Sequence, residues 1–342
     1  MLTASLDNAD RLMEKDTLEM TRTALTMYQK VLEAVSKRYE SDIYGRIKNS
    51  EGICYSRLGL VDNKEANLTL AIRAYEEALE IHTVEKCAAH YAMTQNNLGN
   101  AYRGLAEVRD KEANLTLAIR AYEEALEIHT VEKSAAAYAT TQNNLGNAYA
   151  MLAEVRDKET NLKGAIVAYE QALRIWTVER FPVDYAMTQN NLGNTYRGLA
   201  EVRDKKANLE RAVAAYEQAL GIYTVGWFPV AYAKTQHNRG NAYLRLAEVR
   251  DKEANLKRAV AAYEQALGIR TVGRFPVDYA MTQNNLGNAY LRLAEVRDKE
   301  ANLKKAVAAH EQALGIYTFE KYPLYHDLVM RNLTKAKQAM GE

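Results

Sequence analysis

The chain has 342 residues, with 45 basic and 44 acidic side chains, two cysteines and four prolines. A net charge of +1 gives no overall pull toward nucleic acid or anionic membrane, and no run approaches the roughly 18 apolar residues of a membrane span. Abundant Ala, Leu and Glu with so few prolines point to an all-α protein.

From the N-terminus, MLTASLDNADRLMEK lacks the basic and apolar segments of a leader, so a cytoplasmic location is expected. Ala-x-x-x-Tyr-x-x-Ala, or a close variant, then begins at Ala24, Ala71, Ala118, Ala165, Ala212, Ala259 and Ala306. A second landmark, TQNNLGNAY at 94–102, returns so that its glycine falls at 52, 99, 146, 193, 240 and 287, a constant step of 47. A fixed period of this size means a solenoid of helical units. About seven units are expected over 1–322, the first degenerate, followed by a C-terminal capping helix over 323–342.

Each unit reads as two helices. Helix A is expected from about Ala88 to Arg109, with Leu98, Tyr102, Leu105 and Val108 on its inward face. Pro182, Pro229 and Pro276 fall at the first turn of later A helices, where a missing N–H costs least. Helix B is expected from about Glu112 to Thr130, with Leu115, Ala118, Ile119, Tyr122, Ala125 and Leu126 inward and Asp110 as its N-cap. The EVRDKEANL turn between them is mixed in charge and reads as a solvated, salt-bridged edge.

Leu98-Gly99-x-x-Tyr102 followed by Ala118-x-x-x-Tyr122-x-x-Ala125 resembles the tetratricopeptide repeat, over nearly the whole chain. The usual period of that family is about 34 residues, so this array is similar to the longer repeats of kinesin light chain and of arrays attached to bacterial signalling proteins. The resemblance implies a right-handed superhelical solenoid of antiparallel helix pairs, its A helices lining a concave groove that holds extended peptides or protein surfaces. It also implies a non-catalytic protein-interaction scaffold.

On helix A, Asn96, Asn100 and Arg103 lie on one line beside the core face, and Met93, Asn97, Asn100 and Gly104 on another. Stacking turns these into rows: Asn100, Asn147, Asn194, Asn241 and Asn288 in one, and Asn96, Asn143, Asn190, His237 and Asn284 in the other. An amide both donates and accepts, so such rows suit the backbone of an extended chain, and the first row matches the peptide-contacting asparagine of the family. Gln95 and Asn97 are expected to join neighbouring repeats instead. After the shared tyrosine the copies diverge, with Arg103, Arg197, Arg245 and Arg292 on the groove line. Lys234 and His237 add to a basic zone in the C-terminal half, and Lys234 with Asn241 matches part of the family's clamp for an anionic peptide end. Arg239 occupies a leucine core position and must snorkel.

Protein or peptide partners, acidic ones included, are therefore expected, with no nucleic acid and no membrane. Self-association into dimers or stacks and a sensor role within a larger signalling protein are the alternative readings. Six scattered histidines, and two cysteines without metal-type spacing or a disulfide framework, suggest neither metal nor cofactor. No phosphate loop or nucleophile elbow suggests an enzyme.

Overall fold

The computed structural model describes residues 2–15, 17–35, 37 and 41–341. Among them are fifteen helices and no strand: α1 (Leu2–Met13), α2 (Leu18–Ala34), α3 (Ser41–Leu58), α4 (Lys64–Leu79), α5 (Val84–Leu105), α6 (Lys111–Leu126), α7 (Val131–Leu152) and α8 (Lys158–Leu173), then α9 (Pro182–Leu199), α10 (Lys205–Leu220), α11 (Pro229–Leu246), α12 (Lys252–Leu267), α13 (Pro276–Leu293), α14 (Lys299–Leu314) and α15 (Pro323–Met340). They fall into two compact units, Met1–Ile175 and Trp176–Glu342. In each unit every odd-numbered helix (A) packs on the even-numbered helix (B) that follows, and α15 packs on α14.

The pairs are antiparallel. Tyr91, early in α5, donates to Glu124, late in α6, at 2.7 Å. Gly164, early in α8, lies against the ring of Tyr149, late in α7. Within each unit, from α3 onward, consecutive A helices also touch one another, whereas among the described residues no B helix touches the next B helix. The A helices therefore occupy the inner side of the curve in each unit. The molecule is an all-α helical solenoid.

Helix boundaries follow local chemistry. All four prolines sit at the first turn of an A helix, preceded by Phe181, Phe228, Phe275 and Tyr322 in a non-helical conformation with φ −135° to −143° and ψ 58° to 63°. In α5 and α7, which lack proline, Cys87 and Ser134 hold nearly that same backbone (φ −155° and −158°) and break the helix there. The regular part of α5 thus starts at Ala88. It ends at Leu105 rather than Arg109, which leaves Val108 in the turn, 49% exposed, instead of on the inward face. Asp110 is the N-cap of α6, but in the left-handed region at φ 41° and without a side-chain cap bond. Its carboxylate accepts from Arg109 Nε at 3.1 Å, and Asn114 Nδ2 closes the turn on Arg109 O at 2.8 Å. Exposed inter-repeat ion pairs such as Arg297–Glu253 at 2.9 Å and Lys252–Glu295 at 2.7 Å run along this edge. Pairs of this kind contribute only about 0–1 kcal/mol each.

The core of each hairpin is organised by one tyrosine of the B helix. Tyr28, Tyr75, Tyr122, Tyr169, Tyr216 and Tyr263 are all nearly or fully buried. From α4 onward each ring lies against the recurring glycine of the preceding A helix. A Cβ on Gly99 would stand 2.6 Å from Tyr122 Cε1, and one on Gly240 would stand 2.6 Å from Tyr263 Cε1. Leu115, Ala118, Ile119 and Ala125 complete the buried stripe of α6; the first three cluster with Leu145 and Leu152 of α7, while Leu98 and Leu105 of α5 cluster with Leu68 and Ile72 of α4. Arg239 bends out of its leucine position onto the Tyr243 ring, 5.9 Å from guanidinium carbon to centroid.

Candidate functional site on the inner face of the A helices

The repeated asparagines divide by what they hold. Tyr122 Oη donates to Asn100 Oδ1 at 2.8 Å, and the bond recurs as Tyr169–Asn147 at 2.7 Å, Tyr216–Asn194 at 2.8 Å and Tyr263–Asn241 at 2.7 Å. Where α3 carries Ile53 at the asparagine position, Ser56 becomes the partner of Tyr75 at 3.2 Å. In the first hairpin Tyr28 donates to Asp10 at 2.6 Å. Burial pushes the Tyr122 phenol up to about 12, with the nearby Arg103 charge working against the rise. In the last hairpin the tyrosine is replaced by His310, so Asn288 has no tyrosine hydroxyl to accept.

Four members of this row thus have a hydrogen-bond partner inside the protein. Asn100, Asn147, Asn194 and Asn241 are half-buried, and each commits its oxygen to the tyrosine of its own repeat. Asn100→Ala, which leaves a core hydroxyl unpaired, should lower the unfolding free energy by about 1–3 kcal/mol, and Tyr122→Phe by about 1 kcal/mol or less. Urea denaturation of the two variants reads the difference; equal losses would count against the asymmetry.

The second row is an inter-repeat seam. Asn143, Asn190, His237 and Asn284 are buried and Asn96 is half-buried. Asn144 Nδ2 donates to Asn96 Oδ1 at 3.2 Å, Thr235 Oγ1 to Asn190 Oδ1 at 3.2 Å, and Asn332 Nδ2 to Asn284 Oδ1 at 3.0 Å. His237 Nδ1 lies 3.0 Å from Thr282 Oγ1. Burial, then the charges of Arg270 and Arg197, hold His237 down at about 3, so it is neutral and enclosed. Within the second unit, the next A helix packs over Asn190, His237 and Asn284. Asn97 joins the same seam, donating to Asn49 Oδ1 at 3.3 Å. Gln95 instead reaches Tyr91 Oη at 3.1 Å within its own repeat.

Two arginines of the basic zone pair with glutamates of the preceding repeat. Arg245 Nη1 donates to Glu201 at 2.7 Å and Arg292 Nη1 to Glu248 at 2.6 Å, each in the preceding repeat. Lys234 is exposed, but Asn241, its expected clamp partner, already accepts from Tyr263 and from Asn285 Nδ2 at 3.0 Å.

What remains open is a cavity of 290 Å³ in the first unit, between α3 and α5. Ile53, Leu60 and Leu68 form its apolar wall, and Asn97, Asn100 and Arg103 its polar wall. Arg103 Nε is buried there without a hydrogen-bond partner, and Arg197 Nε is in the same condition in the second unit. Gly104, also on the lining, keeps the cavity open. At the equivalent positions Arg245 and Arg292 span the same gap. The sequence signal for the cavity was the Gly-versus-Arg difference, not the repeated amides.

A solenoid of antiparallel hairpins, with a Gly–Tyr–Asn buckle in each and amide seams between them, defines a helical-repeat scaffold. Models of the tetratricopeptide repeat match residues 186–222 and 280–318, and another such model matches 240–271. The chain is a tetratricopeptide repeat protein, with a 47-residue step. Among solved structures, the C-terminal part of a TPR repeat-containing protein from Cytophaga hutchinsonii is 18% identical, with a TM-score of 0.57 over 96% of this chain and 99% of that one. The apo form of the quorum sensor NprR from B. thuringiensis is 19% identical, with a TM-score of 0.52 over 97% and 87%. A Signal Transduction ATPase with Numerous Domains from Pyrococcus horikoshii, which carries a tetratricopeptide repeat sensor, is 16% identical, with a TM-score of 0.52 over 99% of this chain and 52% of that one. This chain therefore spans about half the length of the Pyrococcus protein. At these identities the likeness is one of fold. No curated protein matches the chain. Among the described residues no helix is long and apolar enough to cross a membrane.

Proposed function

We propose that the protein is a protein-interaction scaffold that holds an extended peptide segment of a partner on the inner face of α3 and α5. The observation that carries this reading is the cavity between α3 and α5, with Asn97, Asn100 and Arg103 on its lining. The guanidinium charge on that lining favours a ligand carboxylate or carbonyl entering the cavity. The two amides on the wall are complementary. Asn97 uses its NH₂ on Asn49 and keeps its oxygen, while Asn100 uses its oxygen on Tyr122 and keeps its NH₂. Together they present an acceptor and a donor, as the backbone of an extended chain requires. Met93, on the same helix line and 40% exposed, offers an apolar contact beyond them.

Gly104→Arg copies the residue that closes this gap elsewhere in the array. A Cβ at 104 meets only the flexible end of Leu68, 3.1 Å away, so the fold should tolerate the change. Peptides selected from a random library on the wild-type chain should bind Gly104→Arg at least about tenfold more weakly. Selected peptides that bind both proteins equally would sink the assignment. Self-association is the rival reading, supported by Leu324 and Leu328 lying exposed on α15. A light-scattering concentration series that finds a strict monomer removes it.

A further inference from the structure

The segment KEANLTLAIRAYEEALEIHTVEK is identical at 64–86 and 111–133, yet it is followed by Cys87-Ala-Ala-His90 in one copy and Ser134-Ala-Ala-Ala137 in the other. In the second copy His129 Nδ1 lies 3.2 Å from Thr141 Oγ1. In the first, the corresponding Thr94 hydroxyl donates to Asn49, and His82 faces other groups. Its Nε2 lies 3.7 Å from Asp42 Oδ1, and its ring centroid 4.8 Å from that of His90. Donor atoms of Asp42, His82 and His90 all lie within 4.8 Å of one another.

The His82 side chain is 2% exposed, and neither ring nitrogen has a hydrogen-bond partner. Gly45, one turn along α3 from Asp42, gives the ring its space, since a Cβ there would stand 2.7 Å from Nε2. A buried imidazole with both nitrogens unsatisfied is unfavourable in a protein interior unless something binds it.

We propose that Asp42, His82 and His90 form a binding site for a divalent transition metal ion, zinc above all. Two imidazoles and a carboxylate suit that ion. Two ligands on a tetrahedral zinc stand about 3.4 Å apart, given bonds of roughly 2.0–2.1 Å, so the Asp42–His82 pair is nearly in register. His90 and Asp42 lie on the more exposed side and can close the remaining distance by side-chain rotation. Cys87 Sγ lies 3.1 Å from His90 Nδ1 and positions that ring. The ligands come from the first turn of α3, the turn after α4, and α5, so the ion ties together successive hairpins. The next repeat has Ala89 and Ala137 where this site has Asp42 and His90, and so cannot build it.

The test is zinc binding by the full chain without a histidine tag, by competition against a chromophoric chelator and by thermal unfolding with zinc or with EDTA. The expected result is about one ion per chain, a higher unfolding midpoint with zinc, and affinity weakened at least about tenfold in Asp42→Asn and His90→Ala. The double variant Cys87→Ser/His90→Ala gives residues 64–92 the sequence of 111–139 in the next copy, which forms the same hairpin; circular dichroism should match wild type while zinc binding is lost. No binding by wild type at micromolar zinc, or equal binding by wild type and these variants, would overturn the site.

Discussion

Replacing Gly99 by alanine is expected to destabilise the protein by about 2–3 kcal/mol, although the same exchange at an open helical position would stabilise it by about 1 kcal/mol. The sign is reversed by one contact. The new methyl would stand 2.6 Å from Cε1, 2.8 Å from Cδ1 and 2.9 Å from Cζ of Tyr122. That ring cannot give way, because it is fully buried among Leu115, Ala118 and Leu145 and its hydroxyl is tied to Asn100. Backbone or ring must shift, and the clash outweighs the gain in helix propensity. Urea unfolding followed by circular dichroism reads the loss, and native-state hydrogen exchange should place it in α5 and α6. Tyr122→Leu in the same chain should recover part of it, since the methyl then enters vacated space. A neutral or stabilising Gly99→Ala would mean that the glycine is not required by the tyrosine.

Much of the architecture was legible because it rests on periodicity. The glycine and Ala-x-x-x-Tyr-x-x-Ala landmarks fixed the step, and the prolines and apolar stripes fixed where helices begin and which faces turn inward. The partners of polar side chains were not legible in the same way. Helical phase placed Asn100 at the border between core and inner face, but did not say that Tyr122, 22 residues later, would reach past Gly99 to bind it. Nor did it say that the space at Gly99 is filled by that ring. The Asn96 row posed a second ambiguity. A near-exact repeat stacks like on like, so a row of amides serves a ligand or the next repeat equally well on paper. The close approach of consecutive A helices decides for the repeat, and Asn190, His237 and Asn284 are buried as a result. The open cavity and the His82 cluster were readable only as departures from the repeat, at Gly104 and at Cys87 and His90. In an array built of near copies, the differences carry more functional information than the conserved pattern.

Acid should destabilise the C-terminal hairpins, and His310→Tyr should remove much of that sensitivity. His310 stands where the other repeats have the buried tyrosine, is 0% exposed, and has neither ring nitrogen paired. Burial brings its pKa down to about 4 from an ordinary 6.5. The folded protein thus keeps it neutral while the unfolded chain takes up a proton as the pH falls below about 6.5. Over that window the unfolded state binds more protons, so stability is fully present above it and declines as pH falls toward about 4, by up to about 3 kcal/mol for this one group. His237, held at about 3, contributes with the same sign and over a wider window, so the wild-type profile alone cannot assign the effect. His310→Tyr can. The new ring would lie against Gly287 as Tyr263 lies against Gly240, and its hydroxyl would donate to Asn288 as Tyr263 does to Asn241 at 2.7 Å. At neutral pH the variant should gain about 1 kcal/mol from the hydrogen bond, and at pH near 4 about 3 kcal/mol more from the removed titration. Urea midpoints at the two pH values measure both. Parallel pH profiles for the two proteins would show that His310 does not titrate with folding, and a variant less stable at neutral pH would show that the last hairpin cannot form the buckle of the others.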